Sequence, residues 1–187
     1  MRLFLAIELD EAVARSIVNA TAPLRAAEPA LDWTDAAMLH LTVKFVGAAH
    51  EPIAARLADA LDDLAQRHGP FEMTLRGIGA FPNFRRARVV WMGVEGDARL
   101  ELLHHDVELC CQHAGVEVEG RPFRPHVTLA RVRNVLPVER ARALARAARH
   151  VPFETAQDVS GLTLFDSAPS SSGAPYRRLH AATFGGR

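Results

Sequence analysis

The sequence predicts an α+β fold built mainly on antiparallel strands, and three observations carry that expectation. Segments with strand and helix periodicity alternate along the 187 residues. Several of the strands alternate apolar with polar residues instead of running continuously apolar, which suits an antiparallel sheet with one covered face. A strand, a turn, a proline and an apolar-striped helix recur at residues 39–66 and 125–149. That recurrence suggests two comparable lobes on a shared cleft, although it is too short to establish duplication by itself.

The elements follow in order. Residues 2–9 form a strand beginning with Leu3, Leu5 and Ile7 on one face, and Asp10 is placed to cap a helix running to about Arg25. Pro29 interrupts any continuation. Residues 39–47 are a strand with Leu39, Leu41, Val43 and Phe45 facing one way and His40, Thr42 and Lys44 the other. Pro52 suits a first helical turn, followed by the stripe Ile53, Leu57, Leu61 and Leu64 and an end near Gly69. Strands are expected at 71–78 and 88–94, separated by the loop 79–86. The next helix covers 98–114, with Leu100, Leu103, Val107 and Cys110 or Cys111 inward and Gly115 as its stop. Residues 116–119 read as a short strand and 126–131 as the second histidine strand. A helix opened by Pro137 carries Val138, Ala141, Leu144, Ala145 and Ala148. Strands at 159–165 and 176–184 enclose the loop 170–175.

Half of the residues are apolar and a quarter are charged, so the chain has the composition of a folded domain. The formal charge is zero, which argues against a protein that coats nucleic acid along its length. Charge is nevertheless uneven. Residues 95–119 are mainly acidic, whereas 121–149 carry Arg121, Arg124, Arg131, Arg133, Arg140, Arg142, Arg146 and Arg149 against Glu139 alone. No apolar run approaches the roughly 20 residues of a membrane span. Two adjacent cysteines, Cys110 and Cys111, supply no disulfide framework, and acid follows the N-terminus too soon for a secretory signal. A cytoplasmic location is expected.

Two units carry chemistry: His40-Leu41-Thr42-Val43 and His126-Val127-Thr128-Leu129. Strand parity places each histidine beside a hydroxyl on one face and anchors the other face in the core. Two such strands on one cleft would surround a tetrahedral centre with two imidazoles and two hydroxyls. That set can move phosphoryl groups without a metal, one neutral imidazole taking a proton from water and one protonated imidazole giving a proton to the departing oxygen. Taken singly, each unit also reads as a surface histidine or as a hydrogen-bonded buried one.

His40 through Gly47 and Pro125 through Arg131 resemble the paired signatures of the two-histidine (2H) phosphoesterase superfamily, nearest to the bacterial RNA 2',3'-cyclic phosphodiesterase or 2'-5' RNA ligase family. Further similar segments are Arg2 to Ile7, Trp33, Gly79 to Phe81, Arg88 to Val94, and Leu164 to Ser167 ahead of Tyr176. The resemblance implies one bilobal domain over 1–187, with two mainly antiparallel sheets, helices on the outer faces and a central cleft. It implies opening of a 2',3'-cyclic phosphate at an RNA 3' end to a 2'-phosphomonoester, and in some members reversible 2'-5' joining of tRNA halves. His40 then matches the proton donor and His126 the proton acceptor. Thr42 and Thr128 match phosphate-binding hydroxyls, and Arg131 matches a basic residue after the second motif. In an unbroken strand Arg131 would face away from His126, so reaching the cleft requires a bulge or a strand end. Lys44 shares the His40 face by parity and is a further candidate for the substrate.

Phe81, Phe84 and Tyr176 are candidates for stacking on a base, with core packing as the alternative. Arg85 and Arg86 could steer an RNA backbone, and Arg140, Arg142, Arg146 and Arg149 could flank a tRNA. His104, His105, Cys110, Cys111 and His113 cluster on one helix but lack a second ligand pair, so neither a metal nor any other cofactor is expected. A monomer acting on RNA is the leading expectation. A phosphodiesterase for a small cyclic phosphate or nucleotide, and a noncatalytic RNA-binding module, are the alternatives.

Overall fold

The computed structural model describes residues 1–167 and 176–185. The expected loop at 170–175 lies outside the described residues. The elements are β1 (Arg2–Glu8), α1 (Glu11–Ala20), α2 (Ala22–Ala27), β2 (Asp32–Trp33), β3 (His40–Ala48), α3 (Glu51–Gln66), β4 (Phe71–Phe81), β5 (Val89–Gly96), α4 (Ala98–His113), β6 (His126–Arg131), α5 (Val138–Arg149), β7 (Glu154–Val159), β8 (Gly161–Asp166) and β9 (Arg177–Thr183).

The architecture is α+β, and the strand pairings among the described residues are antiparallel. One path of hydrogen bonds runs β7-β4-β5-β6-β3-β1-β8-β9, with β2 added beside β6. The two sheets expected from the sequence are therefore two halves of one sheet. Backbone pairing of Leu41 with Val127 joins them, at the N-terminal ends of the two histidine strands, next to His40 and His126. The sheet also curls: Gln157 of β7 reaches across to bond Glu8 O at 2.8 Å and Asp10 N at 2.9 Å, beyond the end of β1.

Burial follows the strand alternation. Leu3, Leu5, Ile7, Leu41, Met73, Leu75, Met92, Val127 and Leu164 share a core with Ile17 of α1, Leu57, Leu61 and Leu64 of α3, and Leu100, Leu103 and Val107 of α4. Each fully buried leucine here contributes on the order of 1.5–3 kcal/mol by leaving water. A second cluster packs Leu144 and Ala148 of α5 and Leu24 of α2 on Ala80, Val90 and Ala130.

Several boundaries differ from expectation for identifiable reasons. Pro23, near the start of α2, divides the predicted first helix in two, and Asp10 stands at the α1 N-cap without a side-chain cap bond. β4 runs on to Phe81 through a bulge at Gly77, whose φ of 71° is readily available to glycine. Residues 116–119 form no strand, because Lys44 and Glu108 bind their backbone. The predicted strand 159–165 is found as β8 from Gly161, with Val159 closing a separate strand, β7. The polar edge strand β7 carries too little apolar alternation to be read from sequence.

Candidate active site

β3 and β6 each contain a bulge at the same place in the motif. Along β1, Ala6 pairs with Thr42 and Leu5 with Lys44, so Val43 is the extra residue; along β5, Trp91 pairs with Thr128 and Val90 with Ala130, so Leu129 is the extra residue. A bulge places two residues opposite one and resets the parity of everything after it. His40, Thr42 and Phe45 therefore share the cleft face of β3, and His126, Thr128 and Arg131 share that of β6. These residues line one cleft of about 680 Å³. The condition that the sequence set for Arg131 is thus met by the bulge at Leu129.

The same geometry corrects two expectations from β3. Lys44 does not share the cleft face with His40. It is 3% exposed, and its Nζ lies 2.9 and 3.0 Å from the two carboxylate oxygens of Glu108 and donates to Glu117 O at 3.0 Å. Phe45, expected in the core, is 60% exposed and forms part of the cleft wall. Sequence reasoning missed Phe45, yet its signal was present: it stands five residues after His40, as Arg131 stands five after His126.

Both imidazoles are oriented alike. His40 Nδ1 donates to Met38 O at 2.8 Å, and His126 Nδ1 donates to Arg124 O at 2.6 Å. A proton held on Nδ1 leaves Nε2 of each ring to exchange protons. Burial pushes the His40 pKa below its ordinary value; the Met38 bond and the Glu8 charge oppose this, while Arg131 and His126 add to it. Burial also lowers the His126 pKa, against the bond to Arg124. Both rings are therefore biased toward the neutral form, and their mutual repulsion disfavours double protonation.

Aromatic walls hold the two rings. Phe4 lies 5.0 Å from His40 and stacks on Phe165 at 5.1 Å, and Tyr176 meets His40 edge-on at 5.4 Å. Phe81 meets His126 edge-on at 4.9 Å, with Trp91 behind it at 5.1 Å. Gly79 is required here, since a Cβ would sit 2.2 Å from the Trp91 ring. Phe81 and Tyr176 thus reach the site. Phe84 packs against the second core cluster, while Arg85 and Arg86 are exposed. Arg140 forms an ion pair with the buried Glu28, tying α5 to the end of α2, and Arg142 pairs with Glu139 at 3.1 Å. A second cavity, of about 590 Å³, adjoins the cleft at Thr42, Phe45 and His126 and is walled by Phe81, Phe123, Arg88, Arg121 and Arg124.

Of the histidines and cysteines of α4, His104 lines the adjoining cavity, and none of them lines the cleft between His40 and His126. Cys111 fills the core, where burial pushes its thiol up to about 12, and His104 stacks on Phe123 at 4.1 Å. Among the described residues no group of three or more His, Cys, Asp or Glu is arranged to hold a metal ion. No helix among them is long and apolar enough to cross a membrane.

Comparison with known proteins adds a further set of observations. Residues 10–168 match the family described as the 2'-5' RNA ligase superfamily. The chain is 35% identical over 142 residues to an RNA 2',3'-cyclic phosphodiesterase of Aeropyrum pernix, covering 75% of this chain and 79% of that protein. Its fold matches the crystal structure of TT0787 of Thermus thermophilus with a TM-score of 0.81 at 28% identity, covering 100% and 99% of the two chains. It matches E. coli LigT complexed with 3'-AMP with a TM-score of 0.71 at 27% identity, covering 98% and 97%.

Proposed function

From the premise that this chain belongs to the 2'-5' RNA ligase superfamily of two-histidine phosphoesterases, we propose how its cleft hydrolyses the 2',3'-cyclic phosphate at an RNA 3' end. The observation that carries the reading is the pairing of Leu41 with Val127, which sets His40, Thr42, His126, Thr128 and Arg131 around one cleft. The protein is an RNA 2',3'-cyclic phosphodiesterase.

In this reading His126 Nε2 takes a proton from water as the water oxygen bonds to phosphorus. The bond from phosphorus to O3' breaks, and His40 Nε2 gives its proton to O3'. The products are a 2'-phosphomonoester and a free 3' hydroxyl. Thr42 and Thr128 hydroxyls and the Arg131 guanidinium hold the nonbridging oxygens as charge shifts among them. Phe45 and Tyr176 wall the nucleoside, and Phe81 with Arg88, Arg121 and Arg124 gives the adjoining cavity apolar and cationic groups for the rest of the strand. The two halves of the sheet serve as the lobes of one domain. The protein acts as a cytoplasmic monomer without a cofactor, with tRNA halves among its substrates; with an RNA 5' hydroxyl attacking phosphorus in place of water and O3' leaving as before, the same proton transfers form a 2'-5' bond, and their reversal breaks it.

The test is incubation with an RNA oligonucleotide ending in a 2',3'-cyclic phosphate, without metal or ATP, followed by product mapping. A 2'-phosphate product supports the reading, a 3'-phosphate product contradicts it, and equal turnover of a mononucleotide 2',3'-cyclic phosphate removes the preference for RNA.

A further inference from the structure

The two halves of the sheet correspond residue by residue beside the histidines. Ile7, Ala6, Leu5 and Phe4 face Leu41, Thr42, Lys44 and Phe45, just as Met92, Trp91, Val90 and Val89 face Val127, Thr128, Ala130 and Arg131. At the histidines the correspondence breaks. Glu8 faces His40, whereas Gly93 faces His126. One imidazole stands opposite a carboxylate, and its counterpart stands opposite no side chain.

Glu8 lies on the same face of β1 as Phe4 and Ala6 and lines a cavity with His40, Phe165, Tyr176 and Arg178. Facing residues on an antiparallel pair have their Cβ atoms about 5 Å apart, which puts this carboxylate within electrostatic reach of the ring. Its geometry is held from three sides. The Thr163 hydroxyl donates to one carboxylate oxygen at 2.6 Å, the Arg178 guanidinium pairs with the other, and the Gln157 amide donates to the Glu8 carbonyl at 2.8 Å. Such anchoring is more than an unconstrained surface carboxylate at a strand end would have.

We propose that Glu8 is a positioning residue that draws a proton toward His40 in preference to His126, and so favours His40 as the acid and His126 as the base. The inference deepens the phosphodiesterase reading and rests on it for the acid and base roles. Among the described residues, the other charged or titratable groups around His40 are Arg2 of β1, the mutually paired Glu11 and Arg15 of α1, Asp32 of β2, which pairs with Arg133, Asp35 before β3, Arg131 and His126 of β6, and Tyr176 and Arg178 beside β8. Burial is the largest influence on His40 and opposes its proton, as do Arg131 and, least of all, His126; the Met38 carbonyl and, more weakly than Arg131 acts, Glu8 favour it. His126 has only its backbone carbonyl partner to set against burial.

The test follows the imidazole Cε1 proton resonances of His40 and His126 against pH in the full chain, together with the pH profile of kcat/KM on cyclic-phosphate RNA. Glu8→Gln keeps the size and an acceptor for Thr163 while removing the charge. It is expected to lower the His40 midpoint by roughly half a pH unit or more, leave that of His126 in place, and move the alkaline limb of kcat/KM down with His40. Arg178→Met, at an exposed position, releases the Glu8 charge and is expected to move the His40 midpoint upward. These opposite signs separate electrostatics from a general loosening of the fold, and Arg178→Met tests the sign even where Glu8→Gln does not fold. An unmoved His40, equal movement of both rings, or the same direction in both variants would overturn the proposal. Absence of hydrolysis with the titration shifts intact would instead refute the phosphodiesterase reading and leave the hold of Glu8 on His40 standing.

Discussion

Replacing Lys44 by Met tests how the second motif is held by the first. Lys44 leaves the histidine strand on its buried side and binds both oxygens of Glu108 and the Glu117 carbonyl, while Glu108 also accepts from Glu119 N at 3.1 Å. This knot ties β3 and α4 to the segment that leads to Arg124, whose carbonyl orients His126. Lys44→Met strands a carboxylate that is 11% exposed, and loss of one partner of a buried pair costs about 3–5 kcal/mol. For a chain of this size that is a fall in Tm of roughly 10 °C. Glu108→Leu alone strands the ammonium and is expected to cost a similar amount. In the double variant the Lys44 and Glu108 charges are both gone; the Glu117 carbonyl and the Glu119 N–H lose partners, at about 1–3 kcal/mol, and His104 loses its 3.7 Å contact with Glu108. Urea unfolding of the four proteins in a double-mutant cycle should therefore show the double variant more stable than the sum of the single losses by about 2 kcal/mol or more. Single losses below about 1 kcal/mol, or strict additivity, would refute the account of Lys44 as a buried structural cation.

Two further outcomes follow from the electrostatics of the site. Arg131→Ala is expected to lower kcat/KM by roughly 10- to 100-fold, the worth of a charge-assisted hydrogen bond, and to raise the His40 pKa because Arg131 lowers it. A pH series of kcat/KM checks both, and an unchanged profile would show that Arg131 does not engage the phosphate. The pKa values of His40, His104 and His126 are lowered on folding, chiefly by burial. Their contribution to stability is full above the unfolded value of about 6.5 and is lost as pH falls through the folded values. Urea midpoints between pH 7.5 and 5 should therefore decline on acidification, and less steeply in His126→Gln; equal slopes would remove His126 from that linkage.

Much of the site was legible because strand alternation is a local property. His40 and Thr42, and His126 and Thr128, share a face over a span that contains no irregularity, so period two located them correctly. Parity fails one residue later, at Val43 and Leu129, where each strand bulges. Nothing in the side-chain pattern of β3 marks that bulge, since Val43 is apolar and Lys44 polar whether the strand is regular or not. The same event hid Lys44 in the core, exposed Phe45 and brought Arg131 to the cleft. The helices α3, α4 and α5 were legible from their apolar stripes, whereas joining of the two halves through Leu41 and Val127 is a long-range backbone contact with no local signature. Glu8 was invisible for a similar reason: its significance lies in its cross-strand neighbour His40 and in Arg178, 170 residues along the chain.

Catalysis in this cleft turns on two histidines sharing one cyclic phosphate. The most direct measurement is metal-free and ATP-free turnover of an RNA ending in 2',3'-cyclic phosphate by the native chain, His40→Ala and His126→Ala, with each variant verified as folded. The native chain is expected to give a 2'-phosphate product and each variant to lose at least about 100-fold, as when a general acid or base is removed. Native-level turnover by either variant would contradict the two-histidine mechanism.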